Sequence, residues 1–202
     1  MSHRARAMGW VVVAASLTTL TPQPARPEAR VPHGAGLAEK KGADVDDPTA
    51  EYPLLTTLDQ VHTGELVALD ATHPTQGEFE ALLSDRVTGA KHELDDRLLT
   101  LLRALASEHP GGRIEIVSGY RSPKLNEMLR KKGHHVSAHS QHSLGHACDF
   151  RVVPGGEDAA LDPRVVEREI RDLGWEGGVG VYPAKDDFFV HADVGRNRRW
   201  VN

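Results

Sequence analysis

A single cysteine, Cys148, stands in the 202 residues, so an intramolecular disulfide is excluded and cysteine usage says nothing about the redox compartment. Long apolar runs are missing too. The mostly apolar stretch from Met8 to Leu20 is broken by Ser16, Thr18 and Thr19 and falls short of the ~20 apolar residues a membrane-spanning helix needs. No early cysteine is present to carry a lipid anchor, no small-x-small cleavage site stands out, and no internal repeat is visible. No basic run interleaves with aromatics, and the net charge of -5 gives no bulk attraction to nucleic acid or to an anionic membrane. Nucleic acid is therefore not an expected partner.

What is present suggests one domain with an N-terminal extension. Arg4 and Arg6, the apolar stretch, and then a segment rich in proline, alanine and arginine follow the layout of a secretory signal. Residues 1–22 are expected to be that signal, or an uncleaved anchor. Either way the chain is expected to be exported, periplasmic or otherwise. Residues 23–52 lack apolar periodicity and are expected to be a tether, leaving 53–202 as the folded domain.

Within that domain Leu66-Val67-Ala68-Leu69 suggests a short buried strand after the turn His62-Thr63-Gly64. Asp95 or Asp96 can cap a helix carrying Leu98, Leu101, Leu102 and Leu105 at helical spacing, ending before Pro110. Arg113 to Val117 alternates as a strand, and Ser122-Pro123 opens a helix to about Lys131. After a loop rich in glycine and histidine, Ala147 to Val153 reads as a strand. Asp162-Pro163 then opens a helix stopped by Gly174, and strands follow at Gly178 to Tyr182 and Phe188 to Asp193. No regular strand-helix-strand alternation appears, which predicts an α+β domain.

The segment Ser140-Gln141-His142-Ser143-Leu144-Gly145-His146-Ala147-Cys148-Asp149 pairs a loop histidine with a strand aspartate. Strand alternation sends Cys148, Phe150 and Val152 to the core and turns Asp149 outward, with small Ala147 beside it leaving room for a metal. The same rule puts Phe189, His191 and Asp193 on one face of the last strand. Two imidazoles and a carboxylate suit zinc, and three protein ligands leave a fourth position open, as hydrolytic zinc sites require. Asp193 and Arg121 are then the candidates for base and charge stabiliser.

These residues resemble the zinc D,D-peptidase and hedgehog-like superfamily, whose pattern S-x-H-x-x-G-x-A-x-D plus a later strand histidine is met by Ser140, His142, Gly145, Ala147, Asp149 and His191. Within it the chain is similar to the branch of murein endopeptidases like MepK. The segments Val61 to Glu65, Ser118-Gly119-Tyr120-Arg121-Ser122-Pro123, Gly177 to Pro183 and Phe189 to Gly195 with Trp200 carry that likeness. It spans roughly residues 54 to 202. The resemblance implies a small antiparallel sheet flanked by helices around a zinc cleft, with His142, Asp149 and His191 as zinc ligands. It further implies hydrolysis of peptidoglycan stem peptides and cross-links by a monomer with no organic cofactor, and a contact of Arg121 with a substrate carboxylate or oxyanion.

One departure stands out. The carboxypeptidase branch has an E-x-W-H glutamate as base, and its position here is Phe188. Asp193 replaces it as the expected base, with Asp187 second, although Asp193 equally suits a partner that orients His191. Arg121 could instead pair a carboxylate structurally. Plainer readings apply elsewhere: His134, His135, His139 and His146 are expected to be solvated or hydrogen-bonded, His62 to support a turn, Cys148 to be an inert buried thiol, Arg130 to Lys132 to be a solvated helix end, and Trp200 to pack. The rival functions are trimming of terminal D-amino acids by a carboxypeptidase and a non-catalytic wall-binding module.

Overall fold

The computed structural model describes residues 53–133, 137 and 140–202. The signal-like and tether segments at 1–22 and 23–52 lie outside the described residues, as do His134, His135 and His139.

Strands β1 (Thr56–Gln60) and β2 (Glu65–Leu69) form an antiparallel hairpin, its turn closed by N–H groups of Thr63 and Gly64 on the Gln60 carbonyl. A buried strand was expected at β2. Instead it is the sheet's edge: Leu66 is 66% exposed and only Leu69 is buried, because pairing on one side leaves the outer face to solvent. Helix α1 (Gln76–Leu82) begins with a reciprocal capping pair, Thr75 and Glu78. Helix α2 (Asp96–Glu108) is capped by Asp95.

Strand β3 (Arg113–Ser118) leads to α3 (Pro123–Lys131), where the Ser122 hydroxyl accepts from the Leu125 N–H. A 3-10 turn, Gln141–Leu144, precedes β4 (Ala147–Val153). Helix α4 (Pro163–Asp172) starts at its Asp162 cap, and β5 (Gly178–Ala184), β6 (Asp187–Asp193) and β7 (Arg198–Val201) complete the chain.

The seven strands among the described residues make one sheet in the order β2-β1-β3-β4-β6-β5-β7. The α+β class stands, but a small antiparallel sheet does not describe it. β1 and β3 pair in parallel, since the chain crosses over through α1 and α2 between them; β7 pairs in parallel with β5 because β6 returns the chain first. Among the described residues no helix is long and apolar enough to cross a membrane.

One sheet face carries the core. Ile114, Ile116, Cys148, Phe150, Val152, Val179 and Val190 pack there against Leu98, Leu102 and Leu105 of α2 and Val166 and Ile170 of α4. Each such large side chain contributes roughly 1.5–3 kcal/mol on burial. Leu125 and Leu129 of α3 are buried outside that cluster. The opposite face is left for chemistry.

Candidate metal centre

Alternation along β4 turns Cys148, Phe150 and Val152 to the core and Asp149 to the other face. Asp149 was expected to point outward, yet it is 2% exposed, because the His142 turn and Arg121 close over it. The ladder brings partners to it directly. Asp149 pairs with His191 on β6 and, across a bulge between Ile116 and Ser118, with Ser118 on β3. Beyond His191 the same row continues to Gly180 on β5 and Trp200 on β7.

His142 arrives from the 3-10 turn. Gly145, with φ of 71° in the left-handed region that favours glycine, ends that turn, and its carbonyl accepts the Asp95 N–H at 3.0 Å. Next to it, the Arg121 N–H donates to the His142 carbonyl at 3.2 Å. The Ser118 to Ser122 corner is thereby fastened to the turn. Asp85 fastens it from the other side, accepting the Ser122 N–H at 2.6 Å and the N–H groups of Val87 and Thr88 at 2.8 Å each. Burial would raise the Asp85 carboxyl, but the Ser122 side chain and these N–H groups outweigh it and bring it to about 2.

The three expected ligands converge. His142 Nε2 lies 3.1 Å from Asp149 Oδ1 and 3.1 Å from His191 Nδ1, and His191 Nδ1 lies 2.8 Å from Asp149 Oδ1. The outer ring nitrogens decide what these contacts mean. His142 Nδ1 donates to the Gly119 carbonyl at 2.7 Å, and His191 Nε2 donates to Asp193 Oδ2 at 3.0 Å. Each neutral ring then presents a bare nitrogen to the other and to a carboxylate oxygen. Three lone-pair atoms at these spacings repel unless a proton or a metal ion lies between them. With ~2.0 Å bonds, tetrahedral zinc ligands sit ~3.3 Å apart, so the donor set fits zinc. Among the described residues this is the one such cluster of histidine, cysteine and acidic side chains.

Electrostatics act on the two rings in opposite directions. Burial, reinforced by the Arg121 charge, lowers His142 to about 4. Burial alone would raise Asp149, but the charges of His142 and Arg121 hold its carboxyl well below the usual range. For His191, hydrogen bonds to Asp149 and Asp193 outweigh burial and raise it. Cys148, on the core side, has its thiol pushed up by burial.

Arg121 reaches the cluster through Asp149. Its Nη2 donates to Asp149 Oδ2 and its Nε to Ser118 Oγ at 2.8 Å, leaving Oδ1 for the histidines. Asp193 lies behind His191 and is 0% exposed. It also accepts the Gly195 N–H at 2.8 Å and the Arg198 guanidinium, at 2.8 Å on Oδ2 and 3.4 Å on Oδ1. Asp187 sits on the same face of β6, four residues or about 13 Å along the strand from His191.

A cleft of about 290 Å³ adjoins the cluster, lined by Arg121, Arg86, Leu129, Tyr182, Phe189 and Asp187 among others. Tyr182 and Phe189 stack with centroids 4.4 Å apart, and the Trp200 indole N–H donates to the Tyr182 hydroxyl. Trp200 therefore does more than pack; its ring lies 5.3 Å from His191. His62 sits in the β1 to β2 turn as expected and contacts Arg86 at 2.7 Å. His146 hydrogen-bonds Gln141. Sequence reasoning missed Ser118, Gly119 and Arg198. Ser118 and Gly119 lie inside a segment it had singled out, whereas Arg198 carried no signal, because β7 pairs with a strand about twenty residues earlier.

Residues 50–200 match the family described as peptidoglycan L,D-endopeptidase MepK. Peptidoglycan L,D-endopeptidase MepK of Escherichia coli strain K12 is 30% identical over 162 residues, which cover 73% of this chain and 80% of that protein. A probable peptidoglycan L,D-endopeptidase MepK of Haemophilus influenzae is 28% identical over 156 residues, covering 73% and 79%. No solved structure matches.

Proposed function

The chain belongs to the family of peptidoglycan L,D-endopeptidase MepK, and on that premise we propose that it is a zinc-dependent enzyme that opens peptide cross-links of peptidoglycan at a bond between an L- and a D-centre. That it is a murein peptidase follows from the family. The proposal adds the metal, its ligands and the bond. One observation carries the metal: both imidazoles have their outer N–H committed, to Gly119 and to Asp193, so in their neutral forms two bare nitrogens meet at Asp149 Oδ1.

His142 Nε2, Asp149 Oδ1 and His191 Nδ1 would hold the ion. Bound zinc supplies Lewis-acid polarisation of the scissile carbonyl and activation of water. The protein's own contribution is placement and charge. The peptide lies in the cleft against the stacked Tyr182 and Phe189, which exclude water beside the cluster. Arg121, held by Ser118 and Asp149, keeps Nη1 without a hydrogen bond among the described residues; from the cleft wall it can donate to the charge developing on the carbonyl oxygen.

For Asp193 the orienting role is the better supported of its two readings. It is fully buried on the far side of the imidazole and already accepts from three groups. Asp187, about 13 Å along the strand, is too distant to take a proton at the cluster. Its place at the end of the cleft suits contact with substrate. The signal-like N-terminus supports export to the compartment that holds the wall.

The test is digestion of cross-linked peptidoglycan by the purified chain, with zinc and after chelation. Cross-linked fragments should fall to uncross-linked ones, chelator should stop the reaction, and zinc should restore it. Shortened stems with cross-links intact would give the reaction to a carboxypeptidase. Binding without any cleavage would leave a wall-binding module.

A further inference from the structure

Three features that sequence reasoning left unconnected meet behind His191. Arg198 spans both Asp193 oxygens, 2.8 Å to Oδ2 and 3.4 Å to Oδ1. Its guanidinium carbon also lies 4.9 Å from the centre of the Trp200 ring, a cation-π distance. Two glycines make the space. A Cβ at Gly178 would stand 2.4 Å from Asp193 Oδ2, and one at Gly180 would stand 2.5 Å from the Trp200 indole. The glycines of β5 thus admit the carboxylate and the indole, while β7 delivers the cation that clamps them.

The arrangement has a direction. Asp193 Oδ1 is satisfied by the Gly195 N–H, and Oδ2 takes both the His191 Nε2–H and Arg198 Nη2. If the carboxylate rotated, His191 would lose its acceptor, and nothing would then hold the proton on Nε2 rather than Nδ1. His142 has no comparable dependence, because its acceptor is the backbone carbonyl of Gly119.

We propose that Arg198 is a positioning residue of the metal centre: by clamping Asp193 it fixes the His191 tautomer and ring orientation, so that Nδ1 is presented bare to His142 and Asp149. This rests on the metal reading given above, but the tautomer can be read without metal. Arg199, the next residue, supplies the control. Its Nε donates to Glu167 on α4 at 2.9 Å, so it anchors β7 without touching Asp193.

The experiment compares the full chain with Arg198→Met, Arg198→Lys and Arg199→Met. Zinc affinity is measured by competition with a chromophoric chelator, the cobalt-substituted protein by its visible spectrum, and the metal-free His191 tautomer by long-range proton-nitrogen NMR at alkaline pH, where the ring is neutral despite its raised pKa. Arg198→Met should bind zinc roughly 10–100-fold more weakly, the range seen when such orienting partners are lost. It should also alter the cobalt spectrum and show mixed His191 tautomers. Arg198→Lys, which keeps the charge but not the fork, should fall between it and the parent. Arg199→Met should match the parent in all three.

Parental affinity and a pure Nε2–H tautomer in both Arg198 variants would overturn the proposal, as would an equal loss in Arg199→Met. A parent that binds no zinc would remove the metal reading alone, since the tautomer comparison still decides the role of Arg198. Should Arg198→Met not fold, a parental result in Arg198→Lys would be sufficient to reject the proposal.

Discussion

His142 and His191 place their inner nitrogens 3.1 Å apart, but they are held by devices of different kinds. His142 sits on a 3-10 turn and leans on a backbone carbonyl, in a corner secured by Arg121, Asp85 and the end of α1. His191 sits mid-sheet on β6 and leans on a side chain, Asp193, that is itself clamped by a second side chain. Sequence changes can dismantle the second support one atom group at a time. The first fails only when the corner that carries Gly119 moves. The metal centre proposed for the two histidines is therefore exposed to two kinds of damage: loss of ligand orientation on the β6 side and loss of local stability on the turn side.

The comparison can be broken outright by removing either histidine. His142→Ala and His191→Ala should both lose stoichiometric zinc binding and cross-link cleavage, measured by metal analysis and muropeptide chromatography. Two ligands leave an incomplete centre whichever support is spared. If one variant retained tight zinc and activity, the centre would not be the shared one described.

A smaller, one-sided effect is expected from Gly178→Ala. The new methyl would stand 2.4 Å from Asp193 Oδ2, and the carboxylate must shift from both His191 and Arg198. Zinc affinity should fall about 10–100-fold, while the turn that carries His142 keeps its contacts. Competition titration measures the loss, and the cobalt spectrum shows whether His191 still ligates.

On the turn side the readout is stability. The Asp85 carboxyl is lowered from 3.8 to about 2 in the fold. Its contribution is therefore complete above the unfolded value and disappears as pH falls through the folded one. By linkage it amounts to about 2 kcal/mol at neutral pH. Asp85→Asn should lose about that much in denaturant unfolding near neutrality, and the parent and variant curves should converge as the pH is lowered to about 2. A constant difference across that range would mean that the carboxylate's charge is not what holds the corner.

How much of this was legible follows from the range of the signals. Helices α2, α3 and α4 announced themselves through their caps, Asp95, Ser122-Pro123 and Asp162-Pro163, joined in α2 by leucines at helical spacing, because capping and amphipathicity act within a few residues. Helix α1 is seven residues with two buried side chains, too little periodicity to register, although its Thr75 and Glu78 pair was readable. Strands β1, TTLDQ, and β7, RRWV, carry no pattern apart from their neighbours. Their pairing depends on strands far along the chain, which also explains why the mixed sheet was not foreseen.

For the proposed centre, the candidates His142, Asp149 and His191 were legible as motif residues, and the face that Asp149 and His191 share was legible because strand alternation is a local geometric rule. The α+β class came from the order of the elements along the chain, and the murein peptidase reading from the resemblance carried by several separated motifs. The tertiary structure alone decided which imidazole nitrogen faces inward. It also set Asp193 behind His191 and Arg121 on Asp149, gave β5 glycines their purpose, and brought Arg198 to the site. Each of these depends on which strand lies beside which and on contacts between residues up to 49 positions apart, and no local pattern encodes that.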